Sequence, residues 1–235
     1  MKIALAQINS YKGNLAENIR HHQKWIEEAA AQGADLVVFP ELSLTGYEPS
    51  LANKLALPHN DPSLEIFQVL SNAHNISIGV GLPTKGEMGI LISLIFFLPQ
   101  AIRRLYSKQH LHLDELPFFV PGEEQLVLQL HGFRIAPAIC YESLLTEHVE
   151  MVSGMGADIY LAPVAKSEQG ISKGYKHYPT IAQKYGLWVL MVNCIWPCDD
   201  FVAYGKTAAW NREGELIGEM DDLREGILLI DTEVG

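Results

Sequence analysis

Four side chains of complementary chemistry each fall beside a buried apolar run. Glu41 follows Leu36-Val-Val-Phe39 and Pro40, so its carboxyl opens a loop at a strand's end. Withdrawal from water there raises a carboxyl pKa toward the range useful for a base near neutrality. Cys140 ends Arg134-Ile-Ala-Pro-Ala-Ile-Cys, just before Tyr141-Glu-Ser, which can start a helix with Ser143 as its cap. Backbone N–H groups point outward at such a junction, lowering thiol pKa and offering oxyanion donors. Lys108, in Tyr106-Ser-Lys-Gln-His-Leu, directly follows another apolar run, and Glu115 comes after it in Asp114-Glu-Leu-Pro-Phe-Phe-Val-Pro-Gly. An ammonium held by a carboxylate can face developing oxyanion charge. Taken singly, each residue also has a plainer reading: a loop carboxyl, a small buried hydrophobe, a solvated surface charge.

The elements that must position these groups alternate between strand and helix. Residues 2–8 are a short apolar run. Leu15, Ile19, His22, Ile26 and Ala29 then recur at helical spacing until Gly33, and 36–39 form a buried strand. A polar loop leads to a helix over 64–74, with Asn60-Asp61-Pro62 as its cap and first turn. Runs at 76–82, 90–97 and 102–106 predict successive antiparallel strands. Strands are expected at 133–139, 158–162 and 187–193, helices at 144–155 and 172–185, and short strands at 207–210, 216–219 and 226–231.

Two segments match: Gly33-Ala-Asp-Leu-Val-Val-Phe-Pro40 and Gly156-Ala-Asp-Ile-Tyr-Leu-Ala-Pro163. Their separation of roughly 120 residues is far too long for a solenoid. The simplest architecture is one domain over 1–235, of class α/β, made of two pseudo-symmetric halves near 1–107 and 125–235. Each half is a sheet with helices on one face, and packing sheet on sheet gives a four-layer αββα sandwich. The turn-rich stretch 108–124 crosses between the halves, where loops from both can meet over a site.

Composition narrows the class. The chain has 235 residues, 48% hydrophobic and 19% charged, with 17 basic and 28 acidic side chains for a net charge of −11. That excludes a disordered chain and leaves no basic patch for a nucleic acid. The most apolar window, 89–98, is about half the length of a membrane span, so no membrane anchor is expected. Cys140, Cys194 and Cys198 do not form the paired doublets of a structural zinc site, and reduced thiols in a cytoplasmic protein fit best. No metal and no cofactor are expected.

Three motifs in order, Phe39-Pro-Glu-Leu-Ser-Leu-Thr-Gly-Tyr47, then Tyr106-Ser-Lys-Gln-His-Leu with the Asp-Glu segment after it, then Ile139-Cys-Tyr-Glu142, together resemble the nitrilase (carbon–nitrogen hydrolase) superfamily. The match spans nearly the whole chain. The resemblance implies an αββα sandwich, a homodimer or higher homo-oligomer built through the helices beside the catalytic strands, and a Glu–Lys–Cys triad. Carried over, Glu41 is the general base, Lys108 the oxyanion stabiliser, Cys140 the nucleophile and Glu115 an assisting carboxylate, with the Tyr141 N–H as a second oxyanion donor. The implied reaction is hydrolysis of a small non-peptide amide or N-carbamoyl compound through a thioester. A nitrile substrate and a sandwich kept only for binding are the alternatives. Tyr47, Glu142, Phe119 and Trp196 are expected along the substrate pocket, and Phe118 is a further aromatic near it. The chain departs from the family pattern at Ile92-Ser93 and Leu98-Pro-Gln-Ala-Ile-Arg, which bears on the substrate rim.

Other constellations are weaker. His110-x-His112 lacks a third ligand at a characteristic spacing. Cys194 and Cys198 flank Trp196-Pro197 and read as loop packing. A papain-like site would need His148 or His177 as base, and neither has a recognisable context.

Overall fold

The fold is that of a computed structural model, which describes residues 1–233; the side chain of Trp196 lies outside what it describes. Two six-stranded sheets face each other. The first contains β1 (Lys2–Gln7), β2 (Leu36–Val38), β3 (Ser77–Lys85), β4 (Ile90–Phe97), β5 (Arg104–Ser107) and β14 (Gly226–Asp231), in the order β14-β1-β2-β3-β4-β5. The second contains β6 (Leu128–Leu130), β7 (Phe133–Pro137), β8 (Ile159–Val164), β9 (Trp188–Asn193), β12 (Ala208–Trp210) and β13 (Leu216–Glu219), in the order β13-β12-β9-β8-β7-β6. A separate hairpin joins β10 (Ile195–Cys198) to β11 (Phe201–Tyr204).

Side-chain alternation explains the layers, since successive strand residues point to opposite faces. In β1, Ile3 and Leu5 enter the core between the sheets with Leu36, Val38, Ile92, Leu94, Ile135, Leu161 and Leu190. Ala4 and Ala6 face the other way, packing with Ile26 and Ala29 of α1 (Leu15–Ala31) and Phe67 and Leu70 of α3 (Glu65–His74). The second sheet does the same. Its outer face packs Ala136, Tyr160 and Val189 on Val149 and Val152 of α4 (Thr146–Gly154) and on Ile171, Tyr178 and Ile181 of α5 (Glu168–Tyr185). The result is the four-layer αββα sandwich.

The matching segments occupy matching places. β2 lies parallel between β1 and β3, and β8 lies parallel between β7 and β9. The halves are not purely sequential, however: the last strand, β14, pairs antiparallel with β1 at the edge of the first sheet. Its Leu228 packs against the central core, so the strand adds apolar surface where β1 would otherwise be an edge. Elements not expected from sequence include β6, the β10–β11 hairpin and the short helix α2 (Ala52–Leu55) inside the polar loop. Helix α5 begins at Glu168, a turn earlier than its apolar spacing suggests. Asp61 does cap, accepting from the Ser63 N–H at 2.9 Å. Across the atypical 89–104 segment the antiparallel pairing of β3, β4 and β5 is kept, with the hydroxyls of buried Thr84 and Ser93 and half-buried Ser107 linked at 2.6 and 2.9 Å.

Candidate active site

The site gathers where the parallel strands of both sheets end, the usual place for a ligand in such sheets. Glu41 sits in a tight turn after β2. Leu42 takes a left-handed φ of 51°, and the turn rests so closely on β3 that a Cβ at Gly81 would stand 2.5 Å from the Pro40 carbonyl. Only glycine fits there. Lys108 continues β5, its N–H donating to the Ile92 carbonyl at 2.8 Å and its carbonyl accepting from Gly122 at 2.8 Å.

Lys108 is fully buried, and its ammonium donates to Glu41 Oε1 at 2.8 Å and to Glu115 Oε1 at 2.6 Å. Glu115 Oε1 also accepts from the Tyr47 hydroxyl at 3.0 Å, and its Oε2 accepts from the His112 N–H at 2.8 Å. Glu41 Oε2 is buried and unpartnered. Burial raises the Glu41 pKa to about 7, against the lowering charge of Lys108 and with a further push from Glu115. Burial alone would lower the Lys108 pKa, but Glu41, Glu115 and Cys140 outweigh it and hold the ammonium charged.

Cys140 opens a short 3-10 turn, Cys140–Leu144, directly after β7. Its φ of 53° is rare for a residue with a side chain and stores strain. The turn is pinned from behind. Ser143 does not cap a helix as expected; its hydroxyl donates to the Cys140 carbonyl at 2.5 Å and meets the Tyr178 hydroxyl at 2.7 Å. The Cys140 thiol lies 3.7 Å from the Ala165 carbonyl. The expectation of a lowered thiol pKa is corrected: burial and the Glu41 charge push it up to about 12, although Lys166 and Lys108 pull the other way. Desolvation outweighs the turn's N–H groups, so Cys140 rests as a thiol and would need a base to react as a thiolate.

A cleft of about 350 Å³ opens onto Cys140, lined among others by Tyr47, Glu115, Tyr141, Lys166 and Phe201. Tyr47 is thus at the wall of the cleft that contains Cys140. Glu142, expected there too, is not: it is fully buried, with Oε1 accepting from Ile139 N–H at 2.6 Å and the Tyr106 hydroxyl at 2.7 Å, and Oε2 accepting from Gln109 N–H at 2.8 Å and His110 N–H at 3.2 Å. A carboxylate with four donors is held behind Cys140, turned away from the cleft. Phe119 is also displaced, buried in the central core and bordering a separate cavity with Ser50 and Asn53. Phe118 is exposed beside it, and the Trp196 side chain lies outside the described residues.

The weaker constellations resolve as structure. His112 pairs with Asp114, His110 stacks edge-on to His148, and no group of three or more His, Cys, Asp or Glu among the described residues could hold a metal ion. His148 is buried against the Tyr106 and Tyr160 hydroxyls. Cys194 and Cys198 are buried with their sulfurs 3.6 Å apart. No helix among the described residues is long and apolar enough to cross a membrane. Sequence reasoning missed Lys166 and Phe201. Lys166 had a signal, a basic residue just past a buried strand and Pro163, in the half that mirrors the Glu41 segment.

Fold and site together define a two-sheet sandwich with a buried carboxylate–ammonium–carboxylate cluster beside a cysteine. The carbon-nitrogen hydrolase family model matches residues 2–234, and the chain belongs to that family. An amidase from Nesterenkonia sp. superposes with a TM-score of 0.91 at 25% identity, covering 98% of this chain and 89% of that one. In a variant of the amidase from Nesterenkonia sp. AN1, 24% identical, the acetamide moiety of fluoroacetamide is covalently added at the active-site cysteine. Among curated relatives, an (R)-stereoselective amidase of Pseudomonas sp. is 26% identical over 97% of this chain and 85% of its own length. A glutamine-dependent NAD(+) synthetase of Acinetobacter baylyi is 25% identical over 99% of this chain but only 44% of its own length. The chain spans less than half the length of the NAD(+) synthetases it matches.

Proposed function

We propose that the chain hydrolyses a small non-peptide amide through a thioester on Cys140, with Glu41, Lys108 and Cys140 as its triad. The observation that carries this reading is the Lys108 ammonium bridging Glu41 and Glu115 at 2.8 and 2.6 Å, beside the cleft onto which Cys140 opens. An amide carbon is a poor electrophile, so reaction needs a strong nucleophile, a base, and positive charge on the developing oxyanion.

As Sγ bonds to the carbonyl carbon, its proton passes to Glu41 Oε2, the oxygen left without a partner. The carbonyl oxygen becomes an oxyanion, held by the remaining N–H of Lys108 and the Tyr141 N–H, which opens a turn and has no acceptor within it. Collapse breaks the C–N bond, and Glu41 returns its proton to the departing nitrogen. Glu41 next takes a proton from water, whose oxygen attacks the thioester carbon. The C–S bond breaks, the thiol recovers its proton from Glu41, and a carboxylic acid leaves, giving up its own proton to the released amine or to solvent. Glu115 keeps Lys108 charged and aimed.

The same reading makes the protein a cytoplasmic homodimer, with exposed Met151 on α4 and exposed Met155 just past its end available to an interface. Ammonia release from a panel of amides, N-carbamoyl amines and matched nitriles tests the activity. Cys140→Ala must abolish it with the fold intact, and Glu41→Gln must suppress it, because both the thiol attack and the water attack hand their proton to that carboxylate. Turnover surviving in Cys140→Ala would end this reading, and turnover of nitriles alone would replace the amide with a nitrile.

A further inference from the structure

Lys166 has a position that the hydrolytic cycle does not use. It lies just past β8, is 94% buried by its 6% exposure, and lines the cleft with Cys140. Its backbone is clamped by the fully buried Asn193, which accepts from the Lys166 N–H at 2.9 Å and donates to its carbonyl at 3.0 Å. Its stem lies against Gly170, where a Cβ would stand 3.1 Å from the lysine Cβ. The ammonium therefore has little freedom. Its one hydrogen bond is long, 3.4 Å to the Cys140 carbonyl, and among the described residues no carboxylate oxygen lies within 4 Å of it.

A buried ammonium without a counter-charge is costly, and at a cleft wall the missing counter-charge is naturally a ligand's. A second feature points the same way. The first turn of the 18-residue helix α5 faces the cleft through Ser167, Gln169 and Gly170, and Ser167 makes no side-chain cap, so N–H groups there remain open to an anion. The acidic groups nearby are engaged elsewhere. Glu41 is held by Lys108 through Oε1, Glu115 is taken by Lys108, Tyr47 and His112, Asp114 pairs with His112, and the exposed Glu168 does not line the cleft. Exposed Lys173 adds positive charge at the mouth. Lys108 is different in kind, already neutralised by two carboxylates.

We propose that Lys166 and the open amino end of α5 form an anion subsite, so that the preferred substrate is an amide carrying a carboxylate a few atoms from its carbonyl. The proposal rests on the amidase reading of the same cleft and names its substrate class. It makes Lys166 a specificity-determining residue. Burial works against the lysine's charge, while the charges of Cys140, Tyr178 and Glu41, where ionised, act to raise its pKa, and the net shift is upward.

The test compares succinamate and glutaramate with butyramide and valeramide as substrates of the full chain. The charged amides should have at least tenfold higher kcat/KM, mainly through KM, and Lys166→Met should collapse that ratio toward one while Lys166→Arg retains most of it. A wild-type protein that prefers the uncharged amides, or a ratio unchanged in Lys166→Met because kcat falls equally for both classes, overturns the subsite. Calorimetric binding of succinamate to Cys140→Ala protein reads the same subsite without turnover: it should weaken at least tenfold when Lys166→Met is added, and absent binding overturns the proposal. Succinamate binding with no hydrolysis of any amide would remove the amidase reading alone. Wild-type selectivity and binding need no folded lysine variant, so a misfolding substitution leaves both outcomes decisive.

Discussion

Lys108 Nζ stands 2.8 Å from Glu41 Oε1, although the residues are 67 positions apart and follow different strands, β5 and β2, of the first sheet. With both side chains out of water, that contact is strong and unscreened by salt. It fixes one carboxylate oxygen and leaves Oε2 without a hydrogen-bond partner.

The pH dependence follows from the two shifted groups. Glu41, with a pKa near 7, becomes a base as pH rises through neutrality, and Cys140, near 12, stays a thiol throughout the working range. kcat/KM should climb on an acid limb centred near pH 7 and show no alkaline limb from thiol ionisation below about pH 10. Glu41→Gln should lower kcat/KM by roughly 100- to 10,000-fold and abolish the limb. A profile already flat from pH 5 would contradict the assignment.

Removing the cation should unbalance the cluster. Lys108→Ala leaves Glu41 and Glu115 buried and facing each other, a loss on the order of 3–5 kcal/mol in stability. Protonating the carboxylates relieves the repulsion, so urea denaturation should show the deficit larger at pH 8 than at pH 5. Equal deficits at both pH values would mean the carboxylates are not sharing that charge.

Glu142 should behave as a positioning residue. It ties Ile139, ahead of the nucleophile, to Gln109 and His110, just after Lys108. Glu142→Leu orphans those N–H groups and should cost about 2–4 kcal/mol. The sharper readout is the iodoacetamide labelling rate of Cys140, which should change in Glu142→Leu and recover in part in Glu142→Gln. A fall in stability with unaltered labelling would leave Glu142 with no hold on the nucleophile's turn.

Acid stability should depend on buried His22. Its Nδ1–H donates to the Asn18 carbonyl at 2.7 Å and its Nε2 accepts from the Ser43 hydroxyl at 2.9 Å, and burial lowers its pKa to about 3. Below pH 6.5 the unfolded chain takes up a proton that the folded chain refuses. The stabilisation is therefore complete above 6.5 and declines toward pH 3, by about 2 kcal/mol at pH 5. Glu41 shifts the other way and offsets part of the overall slope, so the difference between His22→Gln and the parent isolates the effect. The variant's stability deficit should be about 2 kcal/mol smaller at pH 5 than at pH 7.5, and a constant deficit would exclude a buried neutral imidazole.

The elements were legible where local pattern and tertiary role coincide. The 3.6-residue spacing of Ile19, His22, Ile26 and Ala29 marks the face that α1 buries, and Leu36-Val-Val is too short and β-branched to be other than a strand. The β10–β11 hairpin was not legible, because Cys194 to Tyr204 combines apolar residues with Pro197 and Asp199-Asp200 and carries no clean period of two. Side-chain direction was not legible either. Glu115 and Glu142 are both carboxylates beside motif residues, yet one enters the cleft and the other turns into the protein to collect four donors.

The sequence by itself determined the residue types at the strand ends, the duplicated strand-and-proline segments, and the family to which those motifs belong. These are local or ordered along the chain, so composition, periodicity and spacing record them. Tertiary structure alone decided which charges meet. The pairing of Lys108 with two carboxylates, the raised thiol pKa of Cys140 and the unpaired ammonium of Lys166 all depend on distances and desolvation set by packing one sheet on the other. A chain's linear order fixes neither quantity, because burial and through-space separation arise only once distant segments have come together.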